Sequence, residues 1–462
     1  MPTALADAKR RLASNFVPDA PSSLEPILAD PWVVSSLLQK SIRRGDGEVA
    51  QRAAHTLFKS KGSAIWRRLM VIAFEDIGVG SSDVLVMTAA AATDPSWRKR
   101  CGGDAHVVMA LARIMAEAAK DRSSDYVIGA GDHPSLVNVA QVMAKSSIET
   151  KIATICDPQL SMPHRAVAAR SIWGTADAPN RADLAALSGS FRLSGVPEEL
   201  IVATEIAAVR TREPITVMVP LIWLAANTGQ VPSIRDCPVA PSPVVGGVPL
   251  YALDMHTRLG REAIWQFALE NEAMRICLGL HVPKKRWRDA AYNSAFYVDA
   301  APVSRRLMWD QSESLEAFGI ERDLSVAGVR PEGHQPLLQT VRENLDHLNR
   351  LRGEVLLRSS PSAASNRPQS RSLTGIEGGI GLLPDGSLNI FIPGTPPSRW
   401  FKARSQTGEL VYIRVDYNVD GSPKYPVELA KFQIEAEAED MCAKEPTEWV
   451  RNGVLWQRKS AD

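Results

Sequence analysis

The sequence predicts a mainly α protein: a multi-helix bundle or array, followed by a small C-terminal β-rich (α+β) module. Apolar residues recur at helical spacing along most of the chain, as they do at Trp66, Leu69, Met70, Ala73 and Ile77. The segment 358–372 is rich in Ser, Arg and Pro and has no aliphatic periodicity, which is typical of a linker. Beyond it, apolar and polar residues alternate between Asp-Gly turns, as in β-hairpins.

Composition is that of a globular protein with two or three domains. The chain has 462 residues, of which 45% are hydrophobic, enough to fill substantial cores. Its 53 basic and 52 acidic residues argue against a protein that coats nucleic acid along its whole surface, so any DNA contact would be local. The cysteines form no C-x-x-C pair, and no apolar run has the length of a signal peptide core or a membrane span. We therefore expect a cytoplasmic protein without membrane contact.

Stretches of proline, glycine and polar residues mark the expected boundaries between five parts of the chain. These are an N-terminal arm (1–30), a compact helical domain (31–131), a second helical region (132–330), a polar helix with a linker (331–372) and the β-rich module (373–462). The module is expected to close with a helix from Val427 to Ala443.

Within the first helical domain, caps define the expected helices. Asp30 before Pro31 predicts one helix start, and Asp46 can cap the next helix. A third helix, from Trp66 to Gly78, would begin at a Ser63 cap and be closed by Gly78.

Two Ala-rich helices follow, and they carry more small apolar surface than one helix stripe needs. They lie around Met87–Thr93 and Ala105–Ala119. Either self-association or the helices from His133 onward would cover this surface, and the sequence leaves both alternatives open.

Glu75 and Asp76 are unusual because they lie in the last turn of the expected third helix. Two carboxylates there face the negative end of the helix dipole, so something must offset them. We expect a structural ion pair with Arg67, with Arg68 or with an arginine of a neighbouring helix.

Two segments of this region also resemble a known family. K-S-I-R-R-G-D-G-E-V-A (Lys40–Ala50), followed after a helix-length gap by R-R-L-M-V-I-A-F-E-D-I-G-V (Arg67–Val79), is similar to the C-terminal helical region of the replication-associated recombination protein A family, bacterial relatives of the Werner helicase-interacting ATPase. The similarity covers about Trp32 to Gly131. It implies a clamp-loader-like collar that assembles as a tetramer at stalled or single-stranded replication DNA.

The family's ATPase module has no counterpart in this sequence. About 40 residues precede Ser41, fewer than a nucleotide-binding domain of typical size requires. No G-x-x-x-x-G-K-[ST] motif is present to cradle phosphates. We therefore expect no ATP binding or hydrolysis by this chain alone, and any ATPase would act in trans.

Neighbouring Asp and His residues offer oxygen and nitrogen donors for a metal, but chance accounts for most of them. Asp254-x-His256 stands out because it follows a Pro/Gly-rich loop and precedes a helix, where Asp254 or Thr257 could equally serve as a cap. A metal-dependent enzyme using this region is the alternative function, although no catalytic residue or cofactor can be assigned.

Basic residues interleaved with aromatic ones suggest a local nucleic-acid contact. Lys284, Lys285, Arg286 and Arg288 surround Trp287, so that cations could bind phosphates while the indole stacks on unpaired bases. The alternative is a solvated face with the tryptophan anchored in the core. Taken with the resemblance, the sequence predicts a non-enzymatic, oligomerising scaffold of DNA replication, recombination or repair that contacts single-stranded or fork DNA.

Overall fold

The computed structural model describes residues 2–14, 24–173 and 181–359, and beyond them the backbone of strands between residues 380 and 458. The chain divides into two compact units, Met1–Ser360 and Pro361–Asp462. The described part of the first unit is almost wholly helical and that of the second consists of strands, which confirms the predicted fold class. The boundaries predicted inside the first unit stay predictions.

Many helices of the first unit are joined by short connections, and residues 227–257 form a longer one. They are α1 (Pro2–Ser14), α2 (Pro31–Arg44), α3 (Gly47–Lys61), α4 (Ile65–Ile72), α5 (Ser82–Thr93), α6 (Pro95–Arg100), α7 (Asp104–Glu117), α8 (Ser123–Ile128), α9 (Val137–Lys145), α10 (Ile148–Cys156), α11 (Met162–Trp173), α12 (Arg181–Leu193), α13 (Glu198–Thr211), α14 (Met218–Ala226), α15 (Arg258–Glu270), α16 (Glu272–His281), α17 (Trp287–Ala295), α18 (Ser312–Val326), α19 (His334–Glu343) and α20 (Leu345–Ser359).

The strands are shorter and mostly lie in the second unit. They are β1 (Ser233–Asp236), β2 (Val244–Val245), β3 (Val248–Pro249), β4 (Arg305–Met308), β5 (Ile380–Leu382), β6 (Leu388–Ile390), β7 (Ser398–Ser405), β8 (Leu410–Asp416), β9 (Phe432–Glu437), β10 (Trp449–Asn452) and β11 (Leu455–Arg458).

Two helix starts in the first domain are confirmed in atomic detail. The Asp30 carboxylate accepts a hydrogen bond from the Trp32 N–H at 2.8 Å, and Asp46 accepts one from the Val49 N–H at 3.1 Å. Each cap satisfies a backbone donor that the first helical turn leaves open. The helices that they begin, α2 and α3, pack against each other and against α7.

The third predicted helix, Trp66–Gly78, which we call the organising helix, is shorter than predicted. It ends as α4 at Ile72 and continues as a π-helical turn, Ala73–Ile77, which we call the first π turn. A second π turn, Phe296–Ala300, continues α17. The predicted Ser63 cap is wrong, because the residue before α4 is Ala64 and no side chain caps it; a 3-10 turn leads into the helix instead.

The Ala-rich surface of α5 is covered within the chain. Ala89 to Ala92 are buried, and α1 and α13 pack on this helix. This face of α5 is thus covered partly by α1, which precedes it, and partly by α13, one of the helices after His133. Part of the predicted N-terminal arm is likewise ordered, because Ala8 and Leu12 of α1 are fully buried.

The polar helix predicted after His334 is two helices with a substantial core face. The helical conformation is interrupted at Asn344, between α19 and α20. Apolar residues of both helices are buried: Leu337, Leu338, Val341, Leu348, Leu351, Val355 and Leu356. The expectation of few core residues was wrong because the many charged side chains between these positions conceal the helical stripe.

The Pro/Gly-rich stretch before α15 contains short strands. β1 pairs antiparallel with β4, and β2 pairs with β3. No helix in the described part of the chain is long and apolar enough to cross a membrane.

The second unit holds an antiparallel sheet of order β10-β11-β8-β7-β9 and a separate β5–β6 pair. The predicted strands around 380–390 and along Leu410–Asp416 are confirmed. The predicted helix from Val427 to Ala443 is wrong over β9, which pairs with β7. The period-two alternation of Phe432, Ile434 and Ala436 favours a strand, and it outweighs the helix-forming glutamates between them. The rest of that predicted helix lies outside the described residues.

Candidate functional site

Charged side chains from four segments of the first unit meet in its interior, and we call them the ion-pair cluster. The segments are α2, the first π turn, the residue preceding α8 and the loop preceding α15. The members are Lys40, Arg43, Glu75, Asp76, Arg122 and Asp254.

Two glycines after the first π turn let a neighbouring segment approach closely. Gly78 has a φ of 49°, and a Cβ there would lie 2.4 Å from the Asp121 carbonyl oxygen. A Cβ on Gly80 would lie 2.6 Å from the Ala119 carbonyl oxygen. The Asp121 N–H donates to the Ile77 carbonyl at 3.0 Å. This contact positions Arg122, the next residue, beside the carboxylates of the π turn.

Asp76 is the fully buried centre of the cluster. Its Oδ1 lies 2.5 Å from Arg43 Nε and 3.2 Å from Arg122 Nε, and its Oδ2 accepts from Gln39 Nε2 at 2.7 Å. Burial alone would raise the pKa of this carboxyl, but the two guanidinium groups outweigh it and the pKa falls below its usual value. Asp76 is therefore held as a carboxylate.

Glu75, its neighbour, has the opposite shift and keeps some solvent contact. Its Oε1 accepts from Gln39 Nε2 and Arg43 Nη2, each at 2.8 Å. Burial, and next the negative charge of Asp76, raise the pKa of Glu75 to about 6, although Arg43 opposes the change. One adjacent pair thus combines a carboxyl whose pKa is lowered with one whose pKa is raised.

Arg43 joins three elements through its guanidinium. Besides the two carboxylates, its Nη1 donates to the Ala300 carbonyl at 3.0 Å, and the group lies 5.5 Å from the centre of the Phe296 ring. Ala300 and Phe296 belong to the second π turn. Arg43 therefore ties α2 to both π turns, a type of helix irregularity that often accompanies functional sites.

Arg122 contacts the same carboxylate, Asp76, and the same aromatic ring, Phe296, as Arg43 does. Its Nη1 donates to the Ala301 carbonyl at 3.2 Å, and its Nη2 pairs with Asp125. Its guanidinium also lies 5.6 Å from the Phe296 ring centre. Charge and cation–π contact together hold this arginine without exposure to water.

Asp254 pairs with Lys40, one α2 turn before Arg43. Lys40 Nζ lies 2.5 Å from Asp254 Oδ2, and both side chains are buried. Burial lowers the pKa of Lys40 to about 8 although Asp254 opposes the shift. His256 is exposed, and Thr257 caps α15 by accepting from the Gly260 N–H at 3.0 Å. Asp254, which the sequence offers as a metal ligand, is therefore paired with the ammonium group of Lys40. No group of three His, Cys, Asp or Glu side chains within the described residues is arranged to hold a metal.

A second buried network adjoins the cluster through Arg44. Arg44 Nη2 lies 2.6 Å from Asp299 Oδ1, and Arg352 Nη1 lies 2.5 Å from Asp299 Oδ2. Asp299 belongs to the second π turn and Arg352 to α20. Arg43 thus contacts both π turns, and Arg44 adds a further contact to the second one.

The predicted partners of Glu75 and Asp76 are placed differently from one another. Arg67 pairs with Glu213, 2.7 Å away, and donates to the Thr211 carbonyl. Arg68 Nη2 donates to Gln39 Oε1 at 2.5 Å, so it reaches the carboxylates through that amide. The direct partner on a neighbouring helix is Arg43.

The basic patch around Trp287 is only partly free. Lys284 and Lys285 are exposed, whereas Arg286 pairs with Asp289 at 2.7 Å. The half-buried Trp287 donates its indole N–H to the Val282 carbonyl at 3.1 Å, and Arg288 lies 4.7 Å from the ring centre of Trp265. The two lysines therefore remain available to phosphates, while the indole is engaged within the fold.

Sequence reasoning did not identify Arg43, Arg44 and Arg122 as site residues. A signal existed for the first two, since two arginines end a helix and complement its dipole there. No periodicity marks Arg122, which lies between two helices. Comparison of the chain with protein-family models, curated proteins and solved structures gave no match.

Proposed function

We propose that this protein is a non-enzymatic oligomerising or scaffolding factor of DNA replication, recombination or repair, acting in the cytoplasm. The observation that carries the proposal is the meeting of the two segments on which the resemblance rests. Arg43, from Lys40–Ala50, binds Glu75 and Asp76, from Arg67–Val79. This pairing of the two segments supports the collar-like helical architecture that the resemblance implies.

The chemistry of the cluster supports a structural role. Glu75, Asp76 and Asp254 each have a cation within ion-pair distance, at 2.8, 2.5 and 2.5 Å respectively. Removing one partner of a buried pair leaves a charge without compensation, which commonly costs about 3–5 kcal/mol. Such pairs specify one packing of the helices that carry them.

Self-association requires a surface, and α16 offers one. Ile276 is 55% exposed and Leu280 is 59% exposed, and Ala273 lies on the same stripe one turn earlier. Leu269, at the end of the preceding helix α15, is also 46% exposed. Pairing of this stripe with the same stripe of a second copy would bury it around a two-fold axis.

Light scattering on the full-length protein tests this part of the proposal. We expect an oligomer at micromolar concentration that the double variant Ile276→Glu/Leu280→Glu dissociates. Val137→Glu/Val142→Glu is the matched control, because these valines are 40% and 59% exposed on another helix and their replacement adds the same two charges. A wild-type monomer throughout the micromolar range would contradict self-association.

DNA contact is tested by fluorescence anisotropy with a labelled single-stranded oligonucleotide at several salt concentrations. If Lys284 and Lys285 contact phosphates, replacing both with alanine should flatten the log–log salt slope by about 1.4. Absence of binding at low salt would contradict the DNA part of the proposal.

Nucleotide hydrolysis, where the process needs it, would come from an ATPase in trans, and we assign no cofactor. Calorimetry with ATP is expected to detect no binding to this chain alone. Micromolar affinity would contradict this expectation.

A further inference from the structure

A small open cavity lies where the start of α2 meets the start of α4. Its volume is about 230 Å³. Leu57 and Ile65 form a buried apolar floor, and Trp32, Lys61 and Arg68 stand at its walls. Trp32 is 63% exposed, which is unusual for so large an apolar side chain. The cavity therefore combines an accessible indole with cations.

The polar groups at these walls are donors that lack acceptors. Lys61 is exposed and has no hydrogen bond or ion pair within the described residues. Arg68 uses Nη2 on Gln39, but its Nε–H is buried and has no acceptor. The carboxylate of Asp30, two residues before Trp32, already accepts a hydrogen bond from the Trp32 N–H. An anion beside the exposed Lys61 ammonium would supply an acceptor there, and Arg68, which lines the cavity, adds positive charge next to it.

Further cations continue from this end of α4. Arg67 donates to the Thr211 carbonyl at 2.8 Å and pairs with Glu213, whose charge it offsets. This contact holds the end of α13 beside α4. Arg210 and Arg212 flank Thr211, are exposed, and have no partner in the part of the chain that the structure describes. Because Arg67 holds Thr211 beside α4, these two exposed cations lie near the start of that helix, and their charge favours a polyanion over a single small anion.

We propose that this cavity binds single-stranded nucleic acid, with one base stacked on Trp32 and the adjoining phosphates on Lys61 and Arg68. The volume lies below the roughly 300 Å³ at which pockets for whole small molecules begin, so it fits one ring of a longer ligand. Stacking on an indole accepts any base, while cations follow the backbone. The inference rests on the DNA part of the proposed function and adds a contact separate from Lys284 and Lys285.

Two fluorescent ligands separate stacking from charge: an oligothymidylate and an abasic oligonucleotide with the same number of phosphates. Trp32→Ala should weaken oligothymidylate binding about five- to hundredfold and leave abasic binding unchanged, whereas Trp32→Phe should retain most of the affinity. Lys61→Ala should weaken both ligands and flatten the salt slope by about 0.7. Leu28→Ala is the control, because Leu28 is 84% exposed a few residues earlier in the chain.

The outcomes distinguish this inference from the proposed function. Suppose that Trp32→Ala binds oligothymidylate as tightly as the wild type, whereas Lys284→Ala/Lys285→Ala binds it more weakly. The inference is then overturned and the DNA proposal stands. If the wild type binds neither oligonucleotide at low salt, both are overturned, and self-association remains a separate question for light scattering. If polyglutamate and oligothymidylate bind equally well, and Trp32→Ala changes neither affinity, the surface binds acidic peptides. That result would also overturn the inference.

Discussion

Replacing Glu75 with glutamine should change how the stability of the protein depends on pH. In the folded protein the pKa of Glu75 is raised from 4.5 to about 6, first by burial and then by the charge of Asp76. A raised carboxyl pKa means that the folded state prefers the protonated form. Its stabilising contribution is therefore complete below the unfolded pKa and is lost as the pH rises through the folded pKa.

The size of this loss follows from the shift. A change of about 1.5 pKa units at about 1.4 kcal/mol per unit gives about 2 kcal/mol, most of it between about pH 4.5 and 6.5. Glutamine has nearly the same shape, can still accept from Arg43 Nη2 and does not titrate. The free energy of unfolding of Glu75→Gln, relative to the wild type, should thus increase by about 2 kcal/mol as the pH rises across this window.

Urea unfolding at a series of pH values measures the difference directly. Asp76, whose pKa is lowered by its two arginines, stays ionised across this pH window in both proteins, so the change of the difference with pH reports on Glu75. Glu117→Gln is the control, since Glu117 pairs with Arg113 on the surface and both side chains are exposed. A difference between Glu75→Gln and the wild type that stays constant with pH would refute the assignment of Glu75 to a buried, charge-crowded environment.

Two further substitutions test the packing around the cluster. Gly78→Ala should destabilise the protein by more than about 1 kcal/mol, because its Cβ would lie 2.4 Å from the Asp121 carbonyl oxygen at a φ of 49°. Gly62→Ala is its control, since Gly62 has a φ of 54° but nothing within 4 Å, and equal losses in urea unfolding would contradict the steric argument. Lys40→Met should lower the free energy of unfolding by about 3–5 kcal/mol at neutral pH by leaving Asp254 without its cation. A loss below about 1 kcal/mol, within the range of surface ion pairs, would show that Asp254 does not depend on Lys40.

Local sequence signals predicted the parts of the fold that depend on neighbouring residues. Asp30 and Asp46 cap their helices because a side-chain acceptor near an open N–H needs no distant contact. The apolar spacing from Trp66 likewise predicted the organising helix. Its π turn escaped prediction because the close approach of Asp121 to Gly78 involves a distant segment.

The identity of the residues in the candidate site depends still more on contacts between distant parts of the chain. Glu75 and Asp76 were recognised because two carboxylates at a helix end need compensation. Their direct partners, Arg43 and Arg122, come from distant positions in the chain. In the second unit, β9 was taken for a helix because its glutamates favour helices, whereas its pairing with β7 favours a strand.

The central claim is that the ion pair between Arg43 and Asp76 holds the segments Lys40–Ala50 and Arg67–Val79 together. A double-mutant cycle tests this claim most directly. Urea unfolding of the wild type, Arg43→Met, Asp76→Asn and the double variant gives the coupling free energy. The 2.5 Å contact between fully buried groups predicts a favourable coupling of about 1–3 kcal/mol, so that the double variant loses less stability than the two single losses combined. Additive losses, with a coupling below about 0.5 kcal/mol, would contradict the claim.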